Sequence, residues 1–540
     1  MEMTVERTKT EKRLIPEVIG FFERGWFAPF LLSIQPVLHL FSLNATELNF
    51  SEILRSLLVS LLFGAFVLSL AYLFLRDWRK SSLIASLFLF LFFLFGDLAV
   101  WIARNVGLGP ARTNFVTLMI VIILMMVWTW LVIKRIKDIA SVNLYFNLLA
   151  AVFFINSSIQ LGSTLLEHGV SLPPRQTQQM AVIESTENRQ DIYYIILDGY
   201  GRQDILQAFY EFDNSSFLKD LGDRGFYVAE ESSSNYIQTM LSLSSSLNMD
   251  YIQSIQAEGT SIANRSDLIR ILESNRVREI LAQNGYQLIS FHNEYKATIP
   301  SAEIFYDDSH TGLAYPVTAF ESILIDHTMV RVLVHVPVFN KALIDMPYDT
   351  HRRQILSAFE TLQDVPSLDG NYFVYAHIIA PHPPFVFDES GEMVAHDTPF
   401  TLNDANYYIR DHSQRNYIVG YRRQIQYVNA LVLETVDAIL AQSTTPPIII
   451  LQGDHGPGAH LHWGSLEQTI PAERFGILNA YYFPDQDYKL LYPSISPVNS
   501  FRVLLNQFFD TNYELLPDRH YYSPWSFPFD FVEVTDLSLP

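Results

Sequence analysis

Nearly unbroken apolar runs fill the first 162 residues, and they restrict the fold more than any other feature of the chain. A helix that crosses a bilayer core of about 30 Å needs about 20 apolar residues. Stretches of this kind fall near 26–43, 56–75, 82–102, 114–133 and 143–162, and Leu57–Leu75 carries no charge at all. Five in series with short charged connectors predict a helical transmembrane bundle rather than the core of a globule. Arg7, Lys9, Lys12, Arg13 and Arg24 precede the first stretch, Arg76, Arg79 and Lys80 follow the second, and Lys134, Arg135 and Lys137 follow the fourth. The alternate connectors carry only Arg55, Arg104 and Arg112. Because basic connectors stay inside, the N-terminus is expected in the cytoplasm and the remainder of the chain, after five spans, outside it. The first stretch lacks the small-residue cleavage pattern of a signal peptide and is expected to be retained. Asp97 falls inside the third stretch, where a carboxylate is either functional or paired near the interface, with Arg104 as the nearest candidate.

Composition changes near Pro173–Pro174, which divides the chain into a transmembrane part (1–162), a linker (163–190), a soluble body (191–515) and a tail packed on it (516–540). Residues 163–540 carry 22 Lys+Arg against 47 Asp+Glu. So acidic a surface repels phosphate backbones, and no basic run or zinc finger offsets it, so no nucleic-acid partner is expected. With no cysteine in the chain, disulfides, thiolate metal sites and cysteine nucleophiles are all excluded.

Short apolar runs rich in β-branched and aromatic residues predict buried strands at Asp191–Leu197, Tyr286–Phe291, Tyr372–Ile379 and Pro447–Leu451. Helical spacing occupies Ser266–Asn284 and Arg415–Gln442 between them. Alternation of this kind predicts an α/β fold with a mixed, mostly parallel sheet and helices on both faces. Ligands of such sheets gather outside the carboxyl ends of the strands, where this sequence places Asp198, His377 with His382, and Asp454-His455. No Gly-x-Gly-x-x-Gly follows the first strand and there is no Walker loop, so nucleotide cradling is not the evident use of this edge. In Gly453-Asp454-His455-Gly456 an oxygen and an imidazole nitrogen could meet one zinc or manganese ion. Taken alone, the tetrapeptide can also be a turn with a solvated His, and Asp198 a helix cap.

The order of motifs is more specific than any one of them. Strand-Leu-Asp-Gly, then Asn235-Tyr-Ile-Gln-Thr239, then His-x-x-x-Pro-His-Pro-Pro, then Gly-Asp-His-Gly resembles the alkaline phosphatase-like superfamily and, within it, sulfatase-domain membrane proteins. The similarity runs from about 190 to about 515, and the layout of spans before a catalytic domain is like that of lipoteichoic acid synthases and phosphoethanolamine transferases. The resemblance implies Asp198, Thr239, Asp454 and His455 as ligands of a divalent ion (Zn, Mn, Mg or Ca) and Thr239 as nucleophile. It implies His382 and His462 as substrate contacts. His377 and His460 read either as parts of a second metal site or as histidines hydrogen-bonded into the fold. Sulfatases that form formylglycine need Cys or Ser in a Cys/Ser-x-Pro-x-Arg context; there is no cysteine, and Thr239 has no such surroundings. Gly199 also stands where sulfatases carry a second Asp. The implied enzyme is therefore a transferase or phosphodiesterase acting on phospho-alcohol groups of membrane lipids or envelope polymers at the cell membrane, through a phospho-threonine. The alternatives are a non-catalytic envelope scaffold on the same fold and a sulfuric ester hydrolase.

Overall fold

The computed structural model describes the chain apart from residues 1–21, 23–25, 45–49, 108, 169–188, 257–261, 263–264, 308–316, 337–338, 340, 536 and 538–540. Most of the expected linker 163–190 and the basic residues before the first apolar stretch lie outside the described residues. The chain forms two compact units, one of residues 1–171, 311–347 and 397–400, the other of 172–310, 348–396 and 401–540.

In the first unit, helices α1 (Ala28–Leu43), α2 (Phe50–Leu75), α3 (Trp78–Phe93), α4 (Phe95–Val106), α5 (Pro110–Lys134) and α6 (Ile139–His168) follow the apolar stretches. The expectation of five spans is corrected. Among the described residues three helices have the length and apolarity to cross a bilayer, Ile53–Leu75, Ala111–Lys134 and Ile139–Ser163. The third expected span is a pair, α3 and α4, bent by 53°, which makes up at most a fourth. Helix α1 has 16 residues, about 24 Å of rise, short of the hydrocarbon core.

A piece of the C-terminal half is built into this unit. Helix α8 (Ala319–His327) starts at a capping box made by Thr318 and Glu321 and continues into a 3-10 stretch, Met329–His335. Phe320 and Leu324 pack with Val37, Leu38, Phe41 and Ile53. Met329 and Val332 pack against Leu91, Phe95 and Val121. Arg55 donates from Nε to Glu321 Oε1 (2.6 Å) and from Nη2 to Oε2, a bidentate, part-buried pair. Asp97 meets His327 Nδ1 at 3.1 Å, so the partner found for this carboxylate is His327 rather than Arg104. A Cβ at Gly96 would stand 2.2 Å from the Asp326 carbonyl oxygen. Glycine is thus what lets the two backbones touch at the α3–α4 bend.

The second unit is built on seven strands: β1 (Ile192–Leu197), β2 (Tyr227–Val228), β3 (Gln287–Phe291), β4 (Ile304–Tyr306), β5 (Tyr372–Ile378), β6 (Ile448–Gly453) and β7 (Asn479–Tyr482), in the order β2-β7-β6-β1-β5-β3-β4. Strands β6, β1, β5, β3 and β4 are parallel, and β7 and β2 add antiparallel partners at one side. Strands β1, β5 and β6 are buried along their whole length. A parallel strand covered on both faces has no polar side to alternate with, hence the continuous apolar runs.

Register fixes the chemistry. Leu197 pairs with Ile378 on one side and Gly453 on the other, so β1, β5 and β6 end level and Asp198 and Asp454 emerge side by side. His377 pairs with Ile196, two residues before Asp198, and therefore lies on the same face as both carboxylates. That face is covered by α7 (Thr239–Asn248), nine of whose ten residues are buried, and by α10 (Pro497–Phe508). Between α8 and α10 in the chain, α9 (Gln414–Gln442) is the long helix expected from sequence. The serines of α7 keep it slim, and their buried hydroxyls are bonded. Ser242 donates to the Asp454 carbonyl (2.6 Å) and Ser245 to the Asp250 carbonyl (2.7 Å).

Candidate active site

Three buried ligand atoms, one each from Asp198, His377 and Asp454, lie within 4.8 Å of one another at the level ends of β1, β5 and β6. Asp454 Oδ1 accepts the Gly199 N–H at 3.0 Å. Its other oxygen, together with Asp198 Oδ1 and His377 Nε2, has no hydrogen-bond partner among the described residues. Buried polar atoms without partners are rare and costly, and here three converge.

The imidazoles are oriented as ligands are. His455 Nδ1–H donates to the Gly456 carbonyl (3.0 Å), because a carbonyl can only accept, and this leaves Nε2 as the acceptor nitrogen of the ring. That nitrogen is 3.2 Å from Asp454 Oδ2 and 3.6 Å from Asp198 Oδ1. The Thr298 hydroxyl gives its single proton to the Tyr295 carbonyl (2.7 Å), so His377 Nδ1–H must be the donor in their 2.8 Å contact. The Asn293 amide, 3.3 Å from Nδ1, is committed at 2.9 Å to the His377 carbonyl. His377 Nε2 then faces Asp198 Oδ2 at 3.2 Å, and in the neutral ring it does so with its lone pair. Lone pairs facing carboxylates repel unless a cation lies between them. The donor set of two carboxylates and two neutral imidazoles suits a divalent ion such as zinc or manganese.

Charge follows the same geometry. Burial and the neighbouring Arg474 cation push His455 down, against the pull of Asp454, Asp198 and Asp404, which keeps the ring neutral. Thr239 is the first residue of α7, 8% exposed, and its Oγ1 lies 3.1 Å from His455 Nε2. The partial positive charge of a helix N-terminus favours an oxyanion there.

His382 follows β5; its N–H donates to the Asp198 carbonyl (3.0 Å), and its Nε2 is 3.8 Å from Asp404 Oδ2. His462 is exposed, with its backbone N–H on Thr469 Oγ1 (3.0 Å), and the structure does not bring it to the cluster. His460 is held by Glu473 at 3.2 Å, as a histidine bonded into the fold. The structure thus groups Asp198, Thr239, Asp454 and His455 and adds His377, whose place in a buried strand had left its role open.

Sequence reasoning missed Asp404 and Arg474, which come from an irregular segment and a single helical turn without a motif. Arg474, 1% exposed, donates from Nε to the Ile237 carbonyl (3.0 Å) and from Nη1 to Asp404 Oδ2 (2.8 Å) and the Gly456 carbonyl (3.0 Å), while Nη2 meets His455 Nε2 (3.0 Å). Tyr417 donates to Asp404 Oδ1 (2.8 Å). Burial opposes ionisation of Asp404, but the Arg474 cation above all, with the hydrogen bond from Tyr417, brings its carboxyl down to about 2. A folded value depressed from the ordinary 3.8 gives stability that is present above about pH 4 and lost as pH falls through about 2, of order 2 kcal/mol. Asp404→Asn should therefore be destabilised by a constant amount from pH 8 to 5, with the gap to wild type shrinking toward pH 2 in acid-unfolding curves. A gap that closes near pH 6 instead would assign it to another group.

Gly456 permits a close approach. A Cβ there would lie 2.1 Å from the Glu473 carbonyl oxygen and 2.7 Å from that of Gly476, both backbone atoms that cannot swing aside. Gly456→Ala should lower stability by about 3 kcal/mol, read as an earlier midpoint of denaturant unfolding. An unchanged midpoint would mean that the turn carrying Asp454 and His455 yields freely.

A mixed sheet with acidic and imidazole ligands gathered at the carboxyl ends of its central strands is the architecture of the alkaline phosphatase-like superfamily. The sulfatase family model matches residues 190–489. The chain belongs to the sulfatase family. Ser-x-Pro-x-Arg does occur in it, at Ser171–Arg175, but upstream of β1, outside the described residues and outside the family match. No curated protein matches the chain in sequence. Similar solved structures include full-length lipooligosaccharide phosphoethanolamine transferase A (EptA) from Neisseria meningitidis, at 11% identity over 89% of this chain and 95% of that one, TM-score 0.39. The C-terminal periplasmic domain of EptC from Escherichia coli, in complex with Zn, is 11% identical over 60% and 84%, TM-score 0.37. A putative sulfatase from Bacteroides thetaiotaomicron is 13% identical over 63% and 74%, TM-score 0.37.

Proposed function

We propose that the chain is a membrane-anchored, metal-dependent enzyme that moves a phospho-alcohol group from a membrane lipid, through Thr239, to an envelope acceptor or to water. The observation that carries this reading is the convergence of unpartnered Asp198, His377 and Asp454 atoms beside Thr239 at a helix N-terminus. A bound divalent cation would supply the positive charge that makes loss of the threonine proton affordable at neutral pH. Asp198, Asp454, His377 and His455 would hold it. Thr239 Oγ1 gives up its proton and bonds to phosphorus as the bond from phosphorus to the lipid alcohol breaks and that alcohol leaves with a proton; the acceptor hydroxyl or water then bonds to phosphorus, gives up its own proton, and the bond to Thr239 Oγ1 breaks. His382, at the edge of the cluster, is placed to hydrogen-bond the group in transit.

The absence of cysteine speaks for phosphorus chemistry over formylglycine-dependent sulfate-ester cleavage. Sidedness rests on the basic turns 76–80 and 134–137. With both inside, the α3–α4 pair leads outward, α5 returns, and α6 delivers the catalytic unit outside the cytoplasm. The test is mass spectrometry of the full-length protein after incubation with phospholipid donors, with a phospho-alcohol adduct on Thr239 as the expected result. No adduct with any donor, together with a Thr239→Ala protein that remains active in cells, would remove this reading. A protein that takes up no divalent ion would favour a scaffold role.

A further inference from the structure

One cation at the cluster has no part in the chemistry above. The Arg474 guanidinium has five N–H donors. Three are fixed to acceptors that do not change with metal or substrate: the Ile237 carbonyl, Asp404 Oδ2 and the Gly456 carbonyl. The fourth contact, from Nη2, is to His455 Nε2 at 3.0 Å. An imidazole nitrogen has a single lone pair, and a metal ion held by His455 would take it. Nη2 would then lose its acceptor while Nε and Nη1 still fix the plane of the fork. A charged donor left unsatisfied in a fully buried site is costly. Thr239 Oγ1 lies 3.1 Å from that same ring nitrogen, so Nη2 and the nucleophile flank one point.

Charge indicates what fills the gap. Asp198, Asp404 and Asp454 are all buried carboxylates, and one divalent cation with one guanidinium balances them. The loaded site is then neutral, with unfilled N–H donors and a helix N-terminus facing the nucleophile. Such a site takes an oxyanion of low charge, as a phosphodiester is, rather than a second cation or a neutral ester.

We infer that Arg474 is a substrate-contacting residue, whose Nη2 donates to a non-bridging oxygen of the phosphoryl group at Thr239 once a metal ion has taken the lone pair of His455. This rests on the reading of the preceding subsection. Metal binding and substrate binding are coupled through it: the ion releases the donor that the anion needs. A guanidinium that merely braced Asp404 and the Gly456 turn would leave anion affinity alone.

The experiment uses full-length protein in detergent micelles, Mn2+ as the metal and inorganic phosphate as the probe. Mn2+ affinity is read by electron paramagnetic resonance, and phosphate affinity by the relaxation that bound Mn2+ imposes on the 31P signal. Two variants are compared with wild type: Arg474→Lys, which keeps the charge and loses the fork, and Arg474→Met with Asp404→Asn, which removes the buried pair together. Wild type is expected to bind phosphate only with Mn2+ present. Both variants should hold Mn2+ within about threefold of wild type and bind phosphate about tenfold to a hundredfold more weakly. If the double variant does not fold, Arg474→Lys decides alone. Unchanged phosphate affinity in a variant that keeps Mn2+ overturns the inference and leaves the proposed function standing. Loss of Mn2+ by Arg474→Lys also overturns it, by making the guanidinium a brace for His455. Wild type that takes up no Mn2+ sinks the proposed function and this inference together.

Discussion

Thr239→Ala is expected to lower turnover by about a thousandfold or more while the protein still folds, inserts and carries its metal. The change deletes one hydroxyl and one methyl at the first position of α7, where the backbone N–H is not needed for the helix ladder and the residue is more open than Asp198, His377, Asp454 and His455. The proposed ligand set has four other side chains, and three of them are oriented independently of Thr239: Asp454 by Gly199, His455 by Gly456 and His377 by Thr298. Thr239→Ser, which keeps the hydroxyl, should retain at least about a tenth of the rate. Release of lipid alcohol from a phospholipid donor, measured beside metal content, separates the cases. A Thr239→Ala protein that still releases the alcohol at near wild-type rate would take the nucleophile away from this residue.

The second large effect concerns the ligands. Asp454→Ala removes a fully buried carboxylate and leaves Asp198 and two imidazoles around an undercharged ion. Metal affinity should fall by at least about a hundredfold and turnover to background. His455→Ala should do the same. His377→Ala decides between the two roles left open for that residue: a ligand takes the metal with it, whereas a ring bonded only into the fold would not, and loss is expected. His382→Ala should keep the metal and lose about a hundredfold in turnover, since its ring stands at the edge of the cluster and its link to Asp198 runs through backbone. Metal analysis of the four variants is the check. Asp454→Ala protein that keeps its ion, or His382→Ala protein that loses it, would reverse these assignments.

Much of this arrangement was legible because strand ends are. A run such as Ile192–Leu197 announces a buried strand, and the charged residue after it falls at the sheet edge whatever lies between strands. Asp198 and Asp454-His455 could therefore be named. The face that His377 takes could not be read, because in a strand buried on both faces the sequence carries no period to say which side a residue takes. The pairing with Ile196 says it, and pairing is a long-range fact. Asp404 and Arg474 come from an irregular segment and a single helical turn, where no spacing exists to read. Strands β2, β4 and β7 are too short to stand out, and the expected helix 266–284 breaks at Asn275, whose side chain caps the second half. In the membrane half, apolarity gave the helices but not the break at Leu94, beside which Gly96 lies close to the Asp326 backbone, a long-range contact.

That close approach, with the Arg55–Glu321 and Asp97–His327 pairs, has an evolutionary side. Residues 317–335 are encoded far downstream of the helices they complete. Recombination at the junction between the two halves would bring in a foreign anchor without the complement of Phe320, Leu324 and Glu321, and a gene carrying such a crossover would produce a poorly matched first unit. The two halves are thus expected to share one line of descent, with Arg55 and Glu321 changing in concert when either changes.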